Sequence, residues 1–158
     1  MKAKHIFLFL FVCCSSLCFA QNKLFDKYAE MDNVTSVYIS KSMFQMMPDI
    51  ETGGLNLMNL KGKIDGLQIL TTERADLKEK MKKDFGSLID KQHEELMRVK
   101  DGKTRATFYI KKKGDRINEL IMLADTEKEY SVIQLIGNFT LQDIEAVSKS
   151  INRKQENE

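Results

Sequence analysis

The chain has 158 residues, 42% hydrophobic and 30% charged, with a formal net charge of +2. That length suits one ordinary domain, and near-neutrality argues against a nucleic-acid partner. Removing the first twenty residues, which carry Lys2 and Lys4 and no acid, brings the charge to zero and removes all three cysteines, Cys13, Cys14 and Cys18.

Those twenty residues have the order of a secretory signal: Met1 to Lys4 is basic, Ile6 to Cys14 is apolar, and Cys18-Phe19-Ala20 ends on a small residue. Cleavage is expected after Ala20. The apolar run is shorter than the roughly twenty residues a membrane span needs. Cys13 follows Val12, Cys14 follows Cys13 and Cys18 follows Leu17, so none has the small preceding residue of a lipidated cysteine. The expectation is an exported chain, in the periplasm or associated with the outer membrane, with residues 21–158 as a single domain. Without a thiol, that domain can have no disulfide, no thiolate chemistry and no cysteine metal site.

In chain order, Lys23 to Met31 places Leu24, Tyr28 and Met31 on one helical face. Asp32-Asn33 breaks it, and the β-branched run Val34 to Ser40 predicts a strand. Ser40 to Pro48 predicts a short helix ended by proline. Met43, Met46 and Met47 on that helix, with Met58 farther on, either fill irregular gaps under a loop or dress an apolar binding surface, and core packing is expected ahead of metal binding. Soft thioethers at this spacing also make a weak Cu(I) candidate of Met43, Met46 and Met47.

Asp49 to Asp65 has glycines and asparagines but no period, and reads as a mobile loop. Leu55, Leu57, Met58 and Leu60 make it apolar for a linker, and they are the candidate interaction surface. Gly66 to Thr71 predicts a strand, after which Thr72 is expected to cap a helix whose Leu77, Met81, Phe85 and Leu88 share a face.

Four consecutive strands follow. Asp101-Gly102 predicts a type I′ hairpin between Glu94–Val99 and Thr104–Ile110. Lys113-Gly114-Asp115 leads to Ile117–Ala124, and Asp125 to Lys128 turns the chain into Tyr130–Gly137. Runs such as Leu120-Ile121-Met122-Leu123 put apolar groups on both sides of a strand, so both sheet faces need cover. Thr140 and Asp143 then predict a capping box for a helix carrying Leu141, Ile144, Val147 and Ile151. Residues 152–158 form a polar, frayed tail. The fold class is α+β: a mainly antiparallel sheet of up to six strands with two or three helices, its C-terminal four-strand meander followed by a helix.

Asn33 to Met43, Gly66 to Leu70, Arg116 to Leu123 and Leu135 to Phe139 together resemble the exported Gram-negative family catalogued as domain of unknown function 4252 (DUF4252). The resemblance implies an envelope location, an α+β fold and, by association, a part in envelope signalling or stress. Its motifs are structural and imply no active site.

For chemistry the mature chain offers one histidine, His93, beside Glu94-Glu95. One histidine with scattered acids specifies neither nucleophile nor metal, and His93 is expected at the surface. His-Glu-x-x-His and phosphate-loop patterns are absent. The expectation is therefore a noncatalytic envelope module without a cofactor, which docks an envelope protein through an apolar sheet face or the 49–65 loop. The alternatives are a carrier of a small apolar ligand or lipid beneath that loop, and methionine-based copper binding.

Overall fold

The computed structural model describes residues 16–46, 51–52, 55–56 and 62–144. Its elements are α1 (Ser16–Ala29), β1 (Thr35–Ser40), α2 (Lys41–Met46), β2 (Glu51–Thr52), β3 (Leu55–Asn56), β4 (Ile64–Thr72), α3 (Ala75–Gly86), β5 (His93–Asp101), β6 (Thr104–Lys113), β7 (Arg116–Asp125) and β8 (Tyr130–Phe139). Residues 141–144 begin a further helix. Six strands form one antiparallel sheet in the order β1-β4-β8-β7-β6-β5, and β2 pairs with β3 in a separate hairpin.

The meander is as the alternation and turn residues predict, with one difference at its first turn. Asp101 pairs with Thr104, so the two central residues are Gly102 and Lys103, and only Gly102 has positive φ, at 54°. That is the pattern of a type II′ turn, in which glycine comes first, rather than the expected type I′. Gly114, at φ 63°, opens the β6–β7 turn in the same way.

Both faces of the sheet are apolar, because alternate residues of the central strands enter different clusters. On one face Leu70, Tyr130 and Val132 pack under Phe25 and Tyr28 of α1 and Met81 and Phe85 of α3. Phe25 and Phe85 meet edge to face at 5.0 Å. On the other face Leu67, Ile69, Phe108, Ile110, Leu120, Met122, Ile133 and Leu135 form the larger cluster, which Phe44 of α2 and Ile144 join. Burying a large apolar side chain is worth about 1.5–3 kcal/mol, so neither row could be left wet.

Several local expectations are corrected. The buried stripe of α1 is Phe25 and Tyr28, while Leu24 is only partly covered. Thr72 does not cap α3: it ends β4, its hydroxyl donating to the Asn33 carbonyl at 2.7 Å, and Arg74 takes the N-cap position without a side-chain bond. The 49–65 segment is not wholly irregular, since it holds the β2–β3 hairpin and β4 starts at Ile64. The capping box after β8 is present: Thr140 N–H donates to Asp143 Oδ2 at 2.8 Å, and Asp143 N–H donates to Thr140 Oγ1 at 3.3 Å.

The expected cleavage point after Ala20 falls inside α1, and residues 1–15 lie outside the described residues, as do Val147, Ile151 and the 152–158 tail. No described helix is long and apolar enough to cross a membrane.

Candidate functional site

One end of the sheet is irregular in four of its five pairings. Register shifts occur between Ile64 and Gly66, Glu95 and Met97, Lys111 and Lys112, and Ile117 and Glu119. Such bulges re-aim side chains and are over-represented beside functional sites. They flank one cross-strand row in which His93 pairs with Lys111, Lys111 with Glu119, Glu119 with Ile136, and Ile136 with Gly66. At the same end the β8 backbone passes close to β4. A Cβ on Gly137 would press on the Lys63 carbonyl and lie 2.5 Å from Phe139 Cε1, so only glycine fits.

A buried polar chain crosses this end. The His93 side chain is fully buried, correcting the expectation of a surface histidine. Its Nδ1 lies 2.9 Å from Asp90 Oδ1, in the loop after α3, and its Nε2 lies 3.5 Å from Glu119 Oε2. Gln134 Nε2 donates to the other Glu119 oxygen at 2.5 Å. With both ring nitrogens protonated, the imidazolium meets a carboxylate on each side, whereas either neutral tautomer turns a lone pair toward one of them.

The pKa directions agree with that geometry. Glu119 raises the imidazole above its ordinary value; burial opposes this, and Asp90 adds to it. Burial works to raise Glu119, but His93 and Gln134 outweigh it and hold the carboxyl below its usual range. The same balance holds Asp90 low, where the Gln92 amide and His93 overcome desolvation.

Gln134 also floors an open cleft of about 510 Å³, lined by Asp26 and Ala29 of α1, Ser36 and Tyr38 of β1, Asp65, Gly66 and Gln68 of β4, and Ile136 of β8. The buried chain therefore ends under the cleft, with the His93 side chain enclosed. Set between Asp90 and Glu119, the imidazole joins the α3–β5 loop to β7.

Beyond the cleft the sheet ends at β1. Val37 and Tyr38 are 38% and 65% exposed there, and Met43 and Met46 of α2 stand 45% and 76% exposed. Core packing by these two methionines is thereby corrected, since the residue that α2 sends inward is Phe44. Of the other candidates, Met47, Leu57, Met58 and Leu60 lie outside the described residues, and Leu55 is known only as the β3 partner of Thr52. Among the described residues no three His, Cys, Asp or Glu side chains are grouped to hold a metal ion.

Glu119 and Gln134 escaped the sequence reading, although a signal was present. Each is a polar residue inside a two-sided apolar run, Ile117-Asn118-Glu119-Leu120 and Ile133-Gln134-Leu135. A buried polar group in that setting needs a partner, and His93 and Gln134 supply it for Glu119.

The architecture defines the class: an α+β domain built on a six-stranded antiparallel sheet with helices on its faces. The family model described as Domain of unknown function (DUF4252) matches residues 28–147, and the chain belongs to that family. No curated protein and no solved structure matches it.

Proposed function

We propose that the chain is a noncatalytic protein-interaction module of the cell envelope, which recognises its partner through the surface formed by β1 and α2. The observation that carries this reading is a contrast in exposure. The one histidine of residues 21–158 is fully buried between two carboxylates, while Val37, Tyr38, Met43 and Met46 stand exposed on consecutive elements. Flexible thioethers and aromatic rings suit a surface that adapts to another protein. The leader-like first twenty residues support placing the module in the envelope. The competing carriage of an apolar ligand puts its cargo beneath residues 49–65, most of which lie outside the described residues.

The test is a photo-cross-linking amino acid placed at Met46 and, as a control, at Lys103 on the far edge of the sheet, with irradiation in intact cells. A discrete protein adduct at position 46 and none at 103 is expected. Equal adducts at both positions, or none at either, would contradict the reading.

A further inference from the structure

Resting on that interaction reading, the two edges of the sheet narrow the partner's chemistry. A sheet edge presents backbone N–H and C=O groups that can pair with any extended chain, and proteins block such edges with charges, bulges or proline. β5 is blocked in this way. Glu94, Glu95, Arg98, Lys100 and Asp101 charge it, and its pairing with β6 is bulged between Glu95 and Met97.

β1 has none of these devices. Thr35–Ser40 contains no charged residue and no proline, and it pairs with β4 at six successive positions without a shift. Its first four residues are exposed. Nothing in the strand itself discourages another strand from adding to it.

The flanking side chains say which strand fits. On one face an incoming chain would lie beside Val37 and Ile39, the latter packed against the larger core cluster. On the other face it meets Tyr38, whose ring lies over Gly66, where an added Cβ would be 3.7 Å from Tyr38 Cε2. Tyr38 is thus held against β4 while remaining 65% exposed. Behind it is the cleft with Asp26 and Asp65. Lys41 holds Asp65 at 2.7 Å, whereas Asp26 has no cation partner among the described residues.

We propose that β1 is a docking strand for an extended segment of a partner protein, which adds antiparallel to it with apolar side chains beside Val37 and Ile39 and arginine or lysine at the alternate positions, reaching across Tyr38 toward Asp26. Main-chain bonds supply the affinity of strand addition and alternate side chains its specificity. A guanidinium over an exposed tyrosine gains a cation–π contact as well as the charge of Asp26. A second copy of this chain fits less well. Two-fold pairing of β1 with itself would put the acids Asp26 and Asp65 of both copies on the same face of the join.

The probe is a capped seven-residue peptide alternating valine and arginine, titrated into the ¹⁵N-labelled full chain. Amide shifts should concentrate at residues 35–40. Replacing the arginines by glutamate should weaken binding about tenfold, and Asp26→Asn should weaken it roughly two- to fivefold, as for a partly exposed ion pair. Peptides N-methylated at alternate residues should bind in one phase and fail in the other, because only one set of amides faces β1.

Shifts elsewhere than β1, equal binding of the glutamate peptide, or binding of both methylated phases would overturn the proposal. So would concentration-dependent shifts at β1 without peptide, which would make a second copy the occupant. A partner cross-linked through position 46 with no peptide response at β1 would sink strand addition alone; silence in both experiments would sink the interaction reading as well.

Discussion

Replacing His93 by glutamine should strand a buried charge, and the cost can be worked from the structure. His93 Nε2 lies 3.5 Å from Glu119 Oε2, with the two side chains 0% and 7% exposed. At an effective dielectric of about 20, that separation corresponds to roughly 5 kcal/mol of attraction before desolvation is counted. Removing one partner of a buried pair costs about 3–5 kcal/mol, because the other charge stays buried and unpaired. His93→Gln should lose about that much in urea unfolding near pH 5.5. Glu119→Gln keeps an oxygen for the Gln134 amide and removes the stranded charge, so the double variant should regain about 2 kcal/mol over His93→Gln alone.

The pH dependence has a definite sign. His93 is raised above its ordinary 6.5, so its contribution is complete below that value and is lost as pH rises through the higher folded pKa. Glu119 is held below its ordinary 4.5, so its contribution is present above that value and is lost as pH falls through the lower folded pKa. The pair should stabilise most between about 4.5 and 6.5, and Glu119→Gln should flatten the acid side of the profile. Additive costs in the double variant, or an unchanged profile in Glu119→Gln, would refute the coupling.

Three further outcomes are expected. Gly137→Ala should lower the melting temperature, by an amount corresponding to about 1–3 kcal/mol, because the new methyl presses on Lys63 and Phe139. Phe85→Ala should cost about 3–5 kcal/mol in chemical denaturation, since Phe85 is buried between Phe25 and Tyr28. Burial, and after it the hydrogen bond to Asp84 at 2.8 Å, raises the Tyr28 phenol above its usual pKa. In a spectrophotometric titration of the folded chain, Tyr28→Phe should therefore remove one late-titrating phenol.

The sheet was legible because its signals are local. Gly102 and Gly114 mark two-residue turns, and the consecutive apolar residues of β7 and β8 already require cover on both faces. The α3 stripe was legible for the same reason, Met81 and Phe85 being one turn apart and both buried. The site was not, because its members come together only through pairing: His93 and Glu119 sit on strands separated by β6, and Gln134 reaches them from β8. A histidine beside two glutamates in sequence looks wet. The Asp90 loop that closes over it is placed by the end of α3, which periodicity locates only to within a residue or two. Sequence left open whether the methionines face inward or dress a surface, because a short helix of six residues has two ways to face, and Phe44 takes the interior.

The position of β8 has a consequence for how the chain can assemble. The last of the described strands to be made is third in the sheet, bonded to β4 on one side and β7 on the other. Until Tyr130 to Phe139 is available, the described strands of the six-stranded sheet can form only two unconnected patches, β1 with β4 and β5 with β6 and β7. A fragment ending before Tyr130 would leave Leu70 and Leu120 each without a neighbouring strand on one side, in two small sheets that lack a common core. The two halves should therefore lock together in a single late step, slower than the closure of the local hairpins because the β4–β8 contacts span some sixty residues of sequence.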